Sequence, residues 1–259
     1  MASEPTAMAD LFESITSSQD VYTVELGVHF ALQILFWWLP GITLVSLNYL
    51  APSFSTRYKI QPAEKQHTLL DIGRCVAVSI CNQAIELLLH FCLLNYYTSR
   101  GREATVRMKG DLPSLAEFTR DFVLSFIARE AIHYYLHRLL HWRPLYKRLH
   151  KIHHNFTAPI AFASQYAHPV EHILLNVLPI TLPLVVLRSH VLVLIVMVGW
   201  DLLATSVAHS GYDFFLGLAK MHDRHHERFH VYFGSSGGFG IMDWAHRTNE
   251  ESVVQKKVD

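Results

Sequence analysis

Histidine is the residue type most able to do chemistry in this sequence, since it occurs 18 times in 259 residues. Fifteen of the eighteen lie between His133 and His246. Four clusters stand out: HRLLH at 137–141, HKIHH at 150–154, AHSGYD at 208–213 and HDRHH at 222–226. On a helix, residues three or four positions apart share one face, so the first, second and fourth clusters can each direct imidazoles at one centre. This spacing predicts metal binding.

Eight of these histidines predict a centre with two metal ions. They are the histidines of the first, second and fourth clusters: His137, His141, His150, His153, His154, His222, His225 and His226. Imidazole suits iron, zinc and copper, and the three cysteines lack the Cys-x-x-Cys spacing of thiolate sites. One tetrahedral zinc takes only four ligands, so two ions suit this set. The isolated His29, His67 and His90 are expected to be packed or hydrogen-bonded side chains, and His133 to lie beside the ligands at most.

Apolar segments predict an all-α integral membrane protein that positions these clusters in a helical cap. The chain is 51% hydrophobic and only 17% charged, whereas soluble domains are about 25% charged. Five segments are candidate membrane helices: 26–50, 72–97, 118–136, 173–187 and 191–208. The segment 118–136 carries Arg120, Asp121, Arg129 and Glu130, so an amphipathic helix at the membrane face is the alternative for it. We therefore expect about four spanning helices.

The order of the segments also predicts a topology. The histidine-rich stretches 133–172 and 209–246 flank the apolar hairpin, so they must lie on the same side. Segments 137–151 and 220–257 contain 11 of the 22 basic residues, whereas the first 25 residues contain none. Cytoplasmic loops are rich in Lys and Arg, so we expect the histidines and the C-terminus in the cytosol. The basic loop 98–117 conflicts with this prediction if both preceding segments span.

Charge further limits the class of protein and its organisation. The 22 basic and 22 acidic residues form no basic block, which argues against a nucleic-acid partner. The polar segment 1–25 has five acidic and no basic residues, unlike the start of a cleaved signal peptide, so the first helix is expected in the mature protein. We expect a polar segment, 1–25, and a single membrane domain, 26–259, whose histidine clusters lie within 130–248.

The order HRLLH, HKIHH, HSGYD, HDRHH resembles the membrane fatty acid hydroxylase and sterol desaturase superfamily, in particular its methylsterol-oxidase and cholesterol-hydroxylase branch. The likeness covers about 130–248. It implies a cytosol-facing di-iron centre that activates O2, with electrons from NAD(P)H arriving through cytochrome b5 and its reductase. It also implies the endoplasmic reticulum membrane. The final residues, Lys256 to Asp259, are similar to a dilysine retrieval signal, which agrees with that location.

The resemblance assigns roles to individual residues. The eight histidines match the family's metal boxes, and His209 matches an additional family histidine before the last box. The stretch HPVEH resembles the family's HP-x-E element, in which His168 or His172 could complete the ligand shell. Glu171 would orient a ligand by accepting a hydrogen bond from its second ring nitrogen. The same role, with a helix cap or a surface charge as the alternative, is open to three other acidic residues: Glu130, Asp213 and Asp243.

These assignments predict an oxidase of a lipophilic substrate and leave the substrate open among sterols, fatty acyl chains, sphingoid bases, terpenoids and polyketides. Hydroxylation, desaturation and repeated oxidation of a methyl group are all compatible with the boxes. The substrate is expected to enter from the membrane lipid through a slot lined by aromatic residues: Phe36, Trp37, Trp38, Tyr134, Tyr135 and Trp200. The alternative is a metal-binding membrane protein without redox chemistry, such as a zinc transporter or a hydrolase. A transporter would hold its ligands near the membrane midplane, whereas these boxes lie outside the clearest apolar runs.

Overall fold

The computed structural model describes residues 14, 20–102, 105–108, 111–214, 217–234 and 236–250. The proposed retrieval signal and most of the segment 1–25 lie outside these residues. Within them the chain forms helices and no β-strand, which confirms the predicted all-α class. In chain order the helices are α1 (Val21–Leu50), α2 (Pro52–Tyr58), α3 (Leu69–Thr98), α4 (Leu115–Leu140), α5 (Arg143–Leu145), α6 (Pro169–Leu187), α7 (Val191–Ala208), α8 (Leu218–Arg228) and α9 (Ile241–His246).

Four of these helices, α1, α3, α6 and α7, are long and apolar enough to cross a membrane, as predicted. Helix α1 begins at Val21, five residues before the predicted start. The predicted segment began at residue 26 because Glu25 is charged. Glu25 nevertheless belongs to the helix and is buried. Its Oε2 lies 2.7 Å from Nε2 of His90 on α3. A partner on a neighbouring helix makes an ionisable group tolerable there.

Helix α4 contains the fifth predicted segment. Its Asp121, Arg129 and Glu130 are buried, so the charges face neighbouring helices and not the surface. The helix packs along α6 and also contacts α7. Helix α4 is not among the four helices that are long and apolar enough to cross a membrane, and its buried charges pack against the other helices of the bundle.

The helices run between two ends of the bundle. At one end, the hairpin end, the α6–α7 turn at 188–190 meets Arg107, whose backbone exchanges hydrogen bonds with Ser189 and Val191. Arg107 also pairs with Glu117 in the first turn of α4. The opposite end, the histidine end, contains the last turn of α4 and the start of α8. The basic loop before α4 therefore lies at the end opposite to the histidines, which agrees with two spans preceding it.

Proline distorts α1 and α6 without breaking them. A π-helical turn, Ile34–Trp38, precedes Pro40 in α1, and another, His172–Val177, precedes Pro179 in α6. Proline lacks the backbone N–H of a regular helical turn, so the chain changes its hydrogen-bonding register beside it. In α1 this places Gly41 against the ring of Phe162, in the turn Ala161–Gln165 that follows the HKIHH cluster.

We expect the substitution Gly41→Ala to destabilise the protein by about 1–3 kcal/mol, because overpacking a filled interface costs that much. A Cβ at Gly41 would lie 2.6 Å from Phe162 Cε1. The matched control is Gly27→Ala in the same helix, where a Cβ meets nothing within 4 Å. Thermal unfolding of both variants in detergent measures the difference. Equal midpoints would contradict this packing.

Candidate metal centre

Nine predicted histidines converge at the histidine end in two adjacent groups. The five-histidine group consists of His137, His141, His150, His154 and His225. The four-histidine group consists of His153, His209, His222 and His226. Within each group, one ring nitrogen of every member lies within 4.8 Å of those of the others. The rings of His154 and His226 are 4.7 Å apart, so the groups adjoin.

Helical spacing explains how the boxes divide between the groups. Residues four apart share a face of an α-helix, so the pairs 137/141 and 222/226 each stay within one group. The pair 150/154 also stays in one group, although HKIHH folds as the end of a π-helical turn followed by a 3-10 turn. His153 and His225 lie three residues after the first histidine of their boxes and point into the other group. The second and fourth boxes therefore each contribute to both groups, which couples the two sites.

Backbone carbonyls determine which ring nitrogen carries the proton. Nδ1 of His137 donates to the carbonyl of Phe233 (2.9 Å), and Nδ1 of His225 donates to that of Val231 (2.7 Å). Nδ1 of His209 donates to the carbonyl of Thr205 in α7 at 2.8 Å. A carbonyl oxygen only accepts, so the proton lies on Nδ1 and the lone pair on Nε2. These Nε2 lone pairs face the centres of their groups.

The spacing of the Nε2 atoms fits metal ions. Nε2 of His150 lies 3.2 Å from that of His137 and 2.9 Å from that of His141. In the other group, His222 Nε2 is 2.8 Å from that of His209. Two nitrogens bound at about 2.1 Å to one ion at a right angle would be about 3.0 Å apart. His137 and His150 both carry their proton on Nδ1, so their Nε2 lone pairs repel at this distance without a cation between them. The spacing within each group therefore fits one ion.

The imidazoles are neutral at neutral pH, as metal ligands must be. Burial lowers the pKa of His137 and His153 to about 4. The pKa of every other histidine in the two groups also lies below its ordinary value, because of burial first and of neighbouring imidazoles second. The ring nitrogens therefore have lone pairs available for a metal ion at neutral pH, because the imidazoles are already unprotonated before an ion binds.

The HPVEH stretch contributes one residue that contacts a group and two that do not. Glu171 Oε1 accepts a hydrogen bond from His150 Nδ1 at 2.6 Å, as expected of an orienting carboxylate. His168 lies outside both groups, because its Nδ1 accepts from the Val170 N–H and begins α6. His172 also lies outside, since its Nε2 is 3.2 Å from Glu86 on α3.

Three other predicted residues, Glu130, Asp213 and His133, are not members of either histidine group: Glu130 pairs with Arg129, and Asp213 is exposed. His133 packs edge-on against His137 at 5.4 Å between ring centroids. Asp243 is buried and accepts from the N–H groups of Phe233 and Gly234, both at 2.7 Å. Asp243 therefore holds the segment whose carbonyl orients His137.

We expect Asp243→Asn to weaken metal binding about tenfold or more, because residues that support ligands typically contribute that much. The substitution replaces one of two accepting oxygens with a donor, so Phe233 or Gly234 loses its partner. Asp213→Asn, an exposed position, is the control and should bind metal as the wild type does. Metal titration of both purified proteins measures the effect. Equal affinities would show that Asp243 supports only the fold.

Asp223 is a buried residue of the site that sequence reasoning missed, although it lies inside the HDRHH box. Its Oδ1 accepts from Gln61 Nε2 at 2.9 Å, and the same amide donates to the carbonyl of Thr157. Burial raises the pKa of Asp223 to about 6. Gln61 thus ties α8 to the segment that follows HKIHH. The position of Asp223 between two ligands of one box, His222 and His225, was the available signal.

A cavity of about 400 Å³ extends from the histidines toward the hairpin end. Its lining includes His209 and, at the start of α7, Val191. These residues are separated by 18 positions, or about 27 Å along a helix. Aliphatic residues such as Val28, Leu32 and Val198 form much of its wall. The cavity thus leads from the metal centre through the apolar part of the bundle.

The predicted aromatic lining is wrong, because none of the six residues lines this cavity. Trp37 is fully buried and donates from Nε1 to Ser164 Oγ at 2.8 Å. Tyr134 is buried beside His246, whereas Tyr135 and Trp200 are exposed. These six aromatic side chains instead pack between helices or lie on the outer surface.

The fold and the site define a membrane-helical protein with two adjacent histidine groups, each able to hold a metal ion, at one end of a hydrophobic cavity. The sequence model of the family described as fatty acid hydroxylase matches residues 122–248. The chain belongs to this family, as its histidine boxes predicted. No solved structure matches the chain.

Relatives include both fatty acid hydroxylases and methylsterol monooxygenases. Human fatty acid hydroxylase domain-containing protein 2 is 31% identical, covering 83% of this chain and 64% of the relative. Fatty acid hydroxylase ahd1 of Mycosarcoma maydis is 34% identical over 77% of this chain and 51% of its own length. Methylsterol monooxygenase 2-2 of Arabidopsis thaliana is 30% identical over 94% of each chain. The chain thus spans less than two thirds of the first two.

Proposed function

We propose that the protein is a membrane-bound di-iron oxidase that uses O2 to hydroxylate, desaturate or oxidise a methyl group of a lipophilic substrate. The observation that carries this proposal is the opening of the two histidine groups onto the hydrophobic cavity. The names of the relatives support the same class of reaction, and the substrate belongs among the sterols, fatty acyl chains and related lipids. Apolar C–H bonds resist acid–base side chains, so a metal centre suits the task.

When bound, the two irons would supply the activation of O2 and the removal of hydrogen from an unactivated carbon. His137, His150 and their neighbours would hold one ion, and His153, His209 and their neighbours the other. Glu171 keeps the proton of His150 on Nδ1, which leaves the Nε2 lone pair of His150 available to bind an ion. The aliphatic wall excludes water and aligns the substrate carbon with the histidines. Such alignment matters because a displacement of about 1 Å can cost about a hundredfold in rate.

The proposal includes an electron-transfer partner and a location. Reducing equivalents would come from NAD(P)H through cytochrome b5 and its reductase, or a similar pair. The protein would lie in the endoplasmic reticulum membrane with its histidine end on the cytosolic side, where such a partner can reach it. The 11 basic residues in 137–151 and 220–257, against four in the loop 98–117, favour this orientation.

Metal counting and oxygen dependence test the proposal. We expect the purified protein to contain about two irons, and microsomes with NAD(P)H to oxidise the lipid substrate under O2 but not under argon. Comparative mass spectrometry of lipids from expressing and non-expressing cells would identify that substrate. Equal product under argon, or activation by zinc alone, would favour the non-redox alternative and refute the oxidase.

A further inference from the structure

A row of polar residues lies between the spanning helices α1 and α3 and is not used by the metal centre. We call it the polar seam, and it consists of Glu25, His29 and Gln33 on α1 and Gln83, Glu86 and His90 on α3. The α1 members recur every four residues, so they occupy one face of the helix. All of the seam except Gln83 lines the cavity. Ionisable residues at membrane depth typically mark a functional path.

The six residues of the polar seam form three cross-helix pairs, which we call rungs. Their order along α1 is reversed along α3 because the two helices are antiparallel. Glu25 pairs with His90 at 2.7 Å, His29 Nδ1 lies 3.8 Å from Glu86, and Gln83 donates to Gln33 at 3.2 Å. The Gln33 rung is nearest to the metal centre. Gln33 accepts from Gln165, whose neighbour Tyr166 accepts from His153 through its carbonyl.

The rungs differ in how many of their polar atoms have hydrogen-bond partners. In the inner rung, Gln83 and Gln165 both donate to Gln33, and Gln83 also donates to Gln165, so the amides form a closed network. The middle rung continues to His172, which lies 3.2 Å from Glu86.

The outer rung contains an unused acceptor. Glu25 is 5% exposed and lines the cavity, yet its Oε1 is buried without a hydrogen-bond partner among the described residues. Of the six seam residues, all of them described, only Glu25 has such an atom. A buried oxygen without a donor is costly, and it is more so where lipid and not water surrounds the helices. A ligand in the cavity would supply the missing donor.

We propose that Glu25, held in place by His90, accepts a hydrogen bond from a hydroxyl group of the substrate. This inference rests on the proposed function and adds a requirement to it, namely that the lipid carries an alcohol. Glu25 and Gln33 are eight positions apart on α1, or about 12 Å. The hydroxyl therefore lies about 12 Å or more from the carbon that is oxidised. A rigid sterol alcohol and a linear fatty alcohol both present this chemistry.

Binding of alcohols and their methyl ethers tests the proposal without turnover. The full-length, metal-loaded protein in detergent is titrated with radiolabelled cholesterol and hexadecan-1-ol, and with the methyl ether of each. Wild type should bind at least one alcohol about tenfold or more tightly than its ether, because only the alcohol donates to Glu25. The alcohol that shows this preference identifies the rigid or the linear class.

Two variants assign the preference to Glu25. In Glu25→Leu the alcohol and its ether should bind with equal affinity. The control Leu32→Ala removes an apolar part of the cavity wall in the same helix, so it should weaken both probes alike. Iron content of each variant checks that the metal centre has formed.

Three results would overturn the proposal: no binding of either alcohol, equal binding of alcohol and ether by wild type, or a preference that survives Glu25→Leu. None of them depends on O2 or on a reductant. A protein that prefers the alcohol but gives equal product under argon would refute the oxidase alone. A protein that requires O2 but shows no preference would refute the Glu25 site alone.

Discussion

Replacing His225 with alanine is expected to remove the metal from the five-histidine group and to abolish oxygen-dependent turnover. His225 is fully buried, and its Nε2 lies 3.1 Å from that of His141. Changes to residues that merely support a ligand cost about 10–100-fold in metal affinity. Loss of a ligand itself should therefore exceed a hundredfold. Because His225 comes from a box that serves both groups, occupancy of the four-histidine group should fall as well.

The matched control is His230→Ala, which removes an exposed imidazole five residues further along the same segment. It should keep its metal and its turnover, and both variants should insert into membranes because the spanning helices are unchanged. Elemental analysis gives the iron per polypeptide, and product formation in microsomes gives the turnover. His225→Ala with full iron and full activity would refute the ligand assignment. His153→Ala provides the same test for the four-histidine group.

Spacing along the sequence was sufficient to select eight of the nine histidines that converge, and the family resemblance supplied His209. It was not sufficient to divide them. His153 could be grouped with His150 on spacing alone, since residues three and four apart both share a face. The structure instead joins His150 to His154 and turns His153 toward His209. That division depends on how α4, α7 and α8 meet, which is a property of the tertiary packing.

The residues that orient the ligands were less predictable for a physical reason. Glu171 could be proposed because carboxylates commonly accept the second ring N–H of a ligand. The partners of His137 and His225 are backbone carbonyls, of Phe233 and Val231, which any residue type could supply. Asp243 acts one step further away by holding that backbone. Residue type carries no signal for contacts of this kind.

Charge misled the placement of the start of the first span for a related reason. Glu25 was placed outside the first predicted span, and the charges of α4 left an amphipathic helix at the membrane face as the alternative to a fifth span. In the structure Glu25 has a partner on α3, and Asp121 of α4 pairs with Arg120. Hydropathy sums over residues one at a time, so it counts a paired charge as if it were exposed to lipid.

Narrowing the cavity should strongly lower turnover without removing the metal, which separates substrate access from metal binding. Val198 lines the cavity on α7, between Leu194 and Leu202, at a distance in sequence from every predicted ligand. Val198→Trp would place an indole in a space of about 400 Å³. We expect turnover of the lipid substrate to fall about a hundredfold, because small displacements of the reacting carbon have effects of that size.

The matched control for this prediction is Val196→Trp on the same helix. Val196 is 44% exposed and does not line the cavity, so its replacement changes only the outer surface. Both variants should retain the iron of wild type, since the histidines follow α7 and occupy other helices. Normal turnover in Val198→Trp would mean that the substrate reaches the histidines by another route. Loss of iron in that variant alone would instead mean that α7 positions His209 through this packing, because His209 directly follows its last turn.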